Sequence, residues 1–300
     1  MKLTLQDVPA DLFKSVDHEK FMVTAMTQPG KVKKIGCGRF GARKVMFENG
    51  VQATLKPKLF SNEIFRGIPR DTQYLREAAA YQLDWKILHW NLVPPTTLTM
   101  YLGEPSSIQA WVTGFYAKEI VPQPFNHDSD GWKTRLALFS SKINADDLRK
   151  IVLFDLIINN TDRHAKNCLF DTFSDRVWAI DHGLAFGRYY TKYFNVFHRE
   201  IFRKNLTLDK TERELLSSIT QDQLTETLHR YLKSKEIADT YWRIQWMLAQ
   251  ENLGFIHVSN GNDDKDSFPT YEEWFKRHPP RENKVLALVS SMSNMDTSSA

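Results

Sequence analysis

Apolar and polar positions alternate with period two over much of the first third of the chain, and a helical period dominates later. Val32 to Ile35, Lys44 to Phe47 and Val51 to Leu55 read as short strands. The last two are joined by Glu48-Asn49-Gly50, and an Asn-Gly pair is a strong hairpin signal. A helix is predicted from Thr72 to His89, because Leu75, Ala79, Leu83, Ile87 and Leu88 recur at helical spacing and Val93-Pro94-Pro95 lies beyond its end. Ile108 to Phe115 reads as a further strand. A second helix is expected from Asp146 to Ile158, with Asp146 and Asp147 capping and charging its start and Asn159-Asn160-Thr161-Asp162 ending it in a loop. Two brief strands, Asn167 to Phe170 and Arg176 to Ile180, flank a turn at Thr172 to Asp175. Helices follow at Lys210–Ile219, Gln221–Leu232 and Lys235–Ala249, with another near Tyr271–Arg277.

This texture predicts an α+β molecule of two lobes: a small β-rich N-lobe carrying one helix, then a larger, mostly helical C-lobe. The expected boundaries are an N-terminal extension packed on the body at 1–30, the N-lobe at 31–118, the C-lobe at 119–288 and a serine-rich flexible tail at 289–300. With 42% apolar and 25% charged residues in 300, wholesale disorder is excluded. A net charge of +4 is too balanced for bulk attraction to nucleic acid, and no nucleic-acid motif is present. Two cysteines, Cys37 and Cys168, supply neither a disulfide framework nor a zinc cluster and read as small packing residues. No apolar run is long enough to span a bilayer and the first residues do not form a signal peptide, so a reduced, cytoplasmic protein is expected.

The candidate chemistry begins at Gly36-Cys37-Gly38-Arg39-Phe40-Gly41, a G-x-G-x-x-G run. A dinucleotide-binding fold needs a helix opening at the third glycine. Here a strand, a turn and a second strand follow, which favours a hairpin lid whose backbone N–H groups approach phosphate oxygens, as in protein kinases. The second strand ends at Lys56, fifteen residues past Gly41, the place of a lysine that pairs with nucleotide phosphates. Glu77, among small residues on the following helix, is the candidate anion for that lysine; a solvated helix-face glutamate is the bland alternative.

The strongest signal is Asn160-Thr161-Asp162-Arg163-His164-Ala165-Lys166-Asn167, followed by Ala179-Ile180-Asp181-His182-Gly183. Asn167 stands five residues after Asp162, the spacing of a kinase catalytic loop, and Asp181 precedes a glycine by two residues as in D-F-G. A loop carboxylate accepts or orients the acceptor hydroxyl's proton, while an amide oxygen and a second carboxylate clamp Mg²⁺ (or Mn²⁺) against the phosphates of ATP.

At these residues the chain resembles the phosphoinositide 3/4-kinase-like atypical kinases, together with HipA-type kinases, type II phosphatidylinositol 4-kinases and actin-fragmin kinase. "LIINNTDRHAKNCLF" is similar to their catalytic loop and "WAIDHGLAFG" to their metal-binding segment. "REAAAYQLDWKILHWNLVPPT" resembles their glutamate helix and "ENGVQATLKPK" their phosphate-lysine strand. The resemblance runs from about residue 30 to residue 190 and implies a bilobal kinase fold, ATP and a divalent metal. It assigns the catalytic position to Asp162, the metal positions to Asn167 and Asp181, and the ion pair to Lys56 and Glu77. Two departures stand out: the glycine loop is closer to that of ordinary protein kinases, and His182 replaces the phenylalanine of D-F-G.

Several neighbours are weighed individually. Lys166 either contacts the transferring phosphate or is a loop lysine in water; His164 either shares proton handling or braces the loop. Arg163 is expected to pair with a nearby carboxylate, and Asp155 to bond to the catalytic-loop backbone, since an unpaired carboxylate among Ile151, Val152, Leu156 and Ile158 would be costly. Arg188-Tyr189-Tyr190-Thr191-Lys192-Tyr193 occupies the activation-loop position. The reading is an ATP-dependent phosphotransferase, with a protein serine/threonine acceptor ahead of a phosphoinositide. A nucleotide-binding regulatory scaffold is the rival from another class.

Overall fold

A computed structural model describes residues 30–34, 41–47, 51–61, 63–65, 68–101, 103–116, 145–171, 176–187, 195, 197, 202 and 205–253. Gly36, Gly38, Cys37, the Asn49-Gly50 turn, the segment 188–193 and the helix expected near Tyr271–Arg277 lie outside the described residues, as do the expected extension before Gly30 and the tail.

Strands β1 (Gly30–Lys34), β2 (Arg43–Phe47) and β3 (Gln52–Pro57) form an antiparallel meander. Strand β3 alternates strictly: Ala53, Leu55 and Pro57 are buried, whereas Gln52, Thr54 and Lys56 turn to the other face. Val45, Phe47, Ala53 and Leu55 join Tyr101, Ile108 and Ala110 in a small apolar cluster. A two-residue hairpin of β4 (Ile64–Phe65) and β5 (Ile68–Pro69) leads into the first helix. Two further strands, β6 (Thr96–Tyr101) and β7 (Glu104–Ala110), complete a five-stranded sheet of order β1-β2-β3-β7-β6.

Helix α1 (Gln73–Leu83) continues through a π turn, Asp84–Leu88, and stops at His89, whose φ of 54° takes the backbone left-handed. The predicted extent of this helix is close, but its last turn is wider than an α turn. Asp84 explains the local geometry: its carboxylate accepts from the N–H groups of Leu92 (2.6 Å) and Val93 (2.8 Å), folding the following loop back onto the helix end.

The strand predicted from Ile108 to Phe115 needs correction. It begins at Glu104 and leaves the sheet after Ala110; Phe115–Tyr116 is a separate strand, β8, paired with β9 (Cys168–Asp171), which pairs in turn with β10 (Arg176–Ala179). The run IQAWVTGF, read from the sequence as one strand, is thus divided between two sheets.

Helix α2 (Ala145–Ile158) has a charged first part and then becomes apolar all round except for Asp155, with Leu148, Ile151, Val152, Leu153, Phe154, Leu156, Ile157 and Ile158 buried, as befits a central helix. Around it lie α3 (Lys210–Ser218), α4 (Gln221–Leu228) and α5 (Ser234–Ala249). The first two open with capping boxes, Asp209 with Glu212 and Thr220 with Gln223, which satisfy the helix-start N–H groups. Helix α1 contributes Ala79, Ala80, Tyr81 and Leu83 to the large core of this half, so its buried apolar side chains join the helical layer.

Candidate active site

Lys56 leaves β3 on the face opposite the small cluster, and across the ladder stands Ser107, small and buried. The ammonium reaches Glu77 Oε1 at 2.5 Å and Asp181 Oδ1 at 2.9 Å, joining the sheet, α1 and the segment after β10. Burial alone would lower the lysine's pKa; the Asp181 and Glu77 carboxylates outweigh it and hold the ammonium above its ordinary value. Burial opposes ionisation of Asp181 as well, and Lys56 reverses that, keeping its carboxyl below the usual range. Burial pushes the Glu77 carboxyl up against the pull of Lys56.

Asp181 itself has a φ of 62°. A non-glycine residue held left-handed costs energy that its surroundings must supply, and such positions concentrate at functional sites. The surroundings are on hand: Ile180 N–H donates to the Asn167 carbonyl at 3.0 Å, and His182 N–H donates to Glu77 Oε2 at 3.0 Å. Gly183 follows because a Cβ there would stand 3.3 Å from both Glu77 Oε1 and Gln73 Cβ.

The loop 160–167 is built on Asp155 and Arg163, both fully buried. Asp155 accepts from Arg163 Nε (2.8 Å) and Nη2 (3.0 Å), from Asn160 Nδ2 (3.0 Å) and from Asn195 Nδ2 (2.7 Å). Its side chain therefore meets other side chains rather than the loop backbone expected from the sequence. Arg163 Nη1 donates to the carbonyls of Asn167 (2.5 Å) and Ile180 (2.7 Å), stapling the loop to the residue before Asp181. Its remaining Nη2 proton faces His182 Nε2 at 2.9 Å.

Asp162 rides on this frame: its N–H donates to Asn160 Oδ1, and its carbonyl accepts from Asn167 Nδ2 at 2.8 Å. That bond fixes which way the Asn167 amide turns and leaves Oδ1, a hard oxygen, as the atom able to face a cation. His164 Nε2 stands 3.9 Å from Asp162 Oδ2, while its Nδ1 accepts from the Lys166 N–H at 3.2 Å. Lys166 is exposed beside them.

The structure thus brings Lys56, Glu77, Asp162, Asn167 and Asp181 into one connected set, with His164 and Lys166 at its open side. Gly41, at φ 67°, precedes β2 in a conformation that favours glycine. Asn195 is the member that sequence reasoning missed; it lies forty residues from Asp155, and no local pattern marks it. Among the described residues no helix is long and apolar enough to cross a membrane.

Known kinases share the fold. A golgi casein kinase crystal structure is similar in fold, with TM-score 0.50, 18% identity, and coverage of 79% of this chain and 75% of that one. The golgi casein kinase with Mn/ADP bound gives TM-score 0.50 at 19% identity, covering 78% of this chain and 76% of the other. A Helicobacter pylori proinflammatory kinase, CtkA, shows TM-score 0.43 at 12% identity, with 75% and 93% covered. No curated protein matches by sequence. The sequence pattern of the family described as "Phosphatidylinositol 3- and 4-kinase" matches residues 33–235, more than half of the chain. The protein is therefore a member of the phosphatidylinositol 3- and 4-kinase family, within the wider group of phosphoinositide 3/4-kinase-like atypical kinases, with a kinase-like α+β fold.

Proposed function

We propose that this chain is an ATP-dependent phosphotransferase whose acceptor is a serine or threonine hydroxyl of a protein. The observation that carries the reading is Lys56 lying 2.5 Å from Glu77 and 2.9 Å from Asp181. An ammonium so placed is the natural partner of nucleotide phosphates, with Glu77 holding it in position. Gly36, Gly38 and Gly41 would form the lid over those phosphates. Asn167 Oδ1 and the Asp181 carboxylate offer the oxygen donors that Mg²⁺ or Mn²⁺ takes, and such a cation supplies charge neutralisation at the phosphates. The fold neighbour that binds Mn and ADP agrees with that donor set.

In the transfer, the acceptor oxygen forms a bond to the γ-phosphorus and the bond from that phosphorus to the β–γ bridging oxygen breaks. The electron pair leaves with ADP, and Asp162 takes the hydroxyl proton. Lys166, exposed on the same loop, lends positive charge as negative charge spreads over the transferred group. His164, 3.9 Å from Asp162, braces the base and shares its proton handling.

The test is incubation with γ-labelled ATP and Mg²⁺ beside Asp162→Ala and Asp181→Ala. Transfer by the wild type that falls at least about a hundredfold in both variants supports the assignment; equal incorporation by all three defeats it. The family match favours a second acceptor, an inositol lipid. Label that extracts with phosphoinositide vesicles instead of remaining on protein would select that alternative. Nucleotide binding without transfer to any acceptor would select the regulatory scaffold.

A further inference from the structure

His182 occupies the place where D-F-G has an apolar ring, and it is fully buried. Phe154 meets its ring edge-on, with centroids 5.7 Å apart. Its polar atoms, however, face two different parts of the site. Nε2 lies 2.9 Å from Arg163 Nη2, and Nδ1 lies 3.9 Å from Glu77 Oε2. A guanidinium can only donate, so Nε2 must present its lone pair. The ring is then neutral and its one proton sits on Nδ1, directed toward the Glu77 carboxylate. Among the described residues Nδ1 has no hydrogen-bond partner, and the Glu77 carboxylate stands 3.9 Å from it. The backbone completes the link, since His182 N–H already donates to the same Glu77 oxygen at 3.0 Å.

We propose that His182 is a positioning residue which, as the Nδ1–H tautomer, ties the Lys56–Glu77 pair to Arg163 and so holds the phosphate lysine and the catalytic loop in one register. The proposal rests on the phosphotransferase reading for its consequence, but its geometry stands independently. Two oppositely placed ion pairs, Lys56 with Glu77 and Asp155 with Arg163, face each other across one imidazole. A phenylalanine there would keep the backbone N–H to Glu77 but leave an Arg163 proton buried without a partner.

Two measurements test it. In the full chain labelled with ¹⁵N-histidine, two-bond proton–nitrogen correlation should show a neutral Nδ1–H ring whose signals vanish in His182→Gln. An Nε2–H ring or an imidazolium at that position overturns the proposal, whether or not the protein transfers phosphate. In the transfer assay, His182→Leu should lose at least tenfold in kcat. His182→Gln, which keeps an acceptor for Arg163, should recover most of that loss at similar thermal stability. Equal rates for the Leu and Gln variants overturn it. If the wild type transfers no phosphate, the phosphotransferase reading fails, and the tautomer alone decides the hydrogen-bond arrangement.

Discussion

Asp84 shows how one side chain can carry a measurable pH signature. Burial pushes its carboxyl up to about 7, against the pull of the Leu92 and Val93 N–H groups and of Arg176. A carboxyl raised above its ordinary 3.8 holds a proton in the native state that the unfolded chain has released. Its contribution to stability is therefore greatest at low pH and is lost as pH rises from about 4 to about 7, at up to about 1.4 kcal/mol per pH unit. Urea unfolding at several pH values should show that slope diminished in Asp84→Asn, which keeps an acceptor for both amides. A slope unchanged by the substitution contradicts the assignment. At this scale much of the site was legible, because Lys56, Asp162, Asn167 and Asp181 are marked by spacing. Asp155 was marked by its apolar neighbours, but its Asn195 partner was not, since tertiary contact alone brings the two together.

At the scale of elements, α1 is clamped to the helical half. Arg76, buried on that helix, donates Nη1 to the Ala185 carbonyl at 2.7 Å, Nη2 to Glu236 on α5, and Nε to Thr72 Oγ1. Arg76→Met should lower stability by on the order of 3 kcal/mol, because it strands a carboxylate and a buried carbonyl. Chemical denaturation measures this, and a loss no larger than that of an ordinary surface substitution would refute the clamp. Among the described residues, helices were readable from periodicity to within a few residues. Strand β6 was not, although Thr96, Thr97 and Thr99 are β-formers, because the Pro94-Pro95 stop signal drew the reading to the preceding helix end. The split of Ile108 to Phe115 between two sheets was not read from the sequence, because Ala110, Trp111, Val112 and Phe115 carry the apolar signal across the break.

For the molecule as a whole, the described residues carry two apolar clusters of unequal size, and α1 is counted in the larger one rather than with the sheet beside it. Native-state hydrogen exchange should therefore protect α1 amides to the same degree as those of α2 and α5, and above those of β2. Exchange of α1 in step with β2 would show that the sheet and helix open together. The two-lobed plan was legible because texture changes along the chain; the membership of α1 was not, since its apolar stripe does not say which layer covers it. One residue then limits how such a molecule can be switched. All five N–H protons of Arg163 are engaged by Asp155, Asn167, Ile180 and His182. This guanidinium offers no spare valence to a phosphoryl group added on the stretch beyond Gly187, so capturing one there would mean dismantling the network that joins Asp155, Asn167 and Ile180.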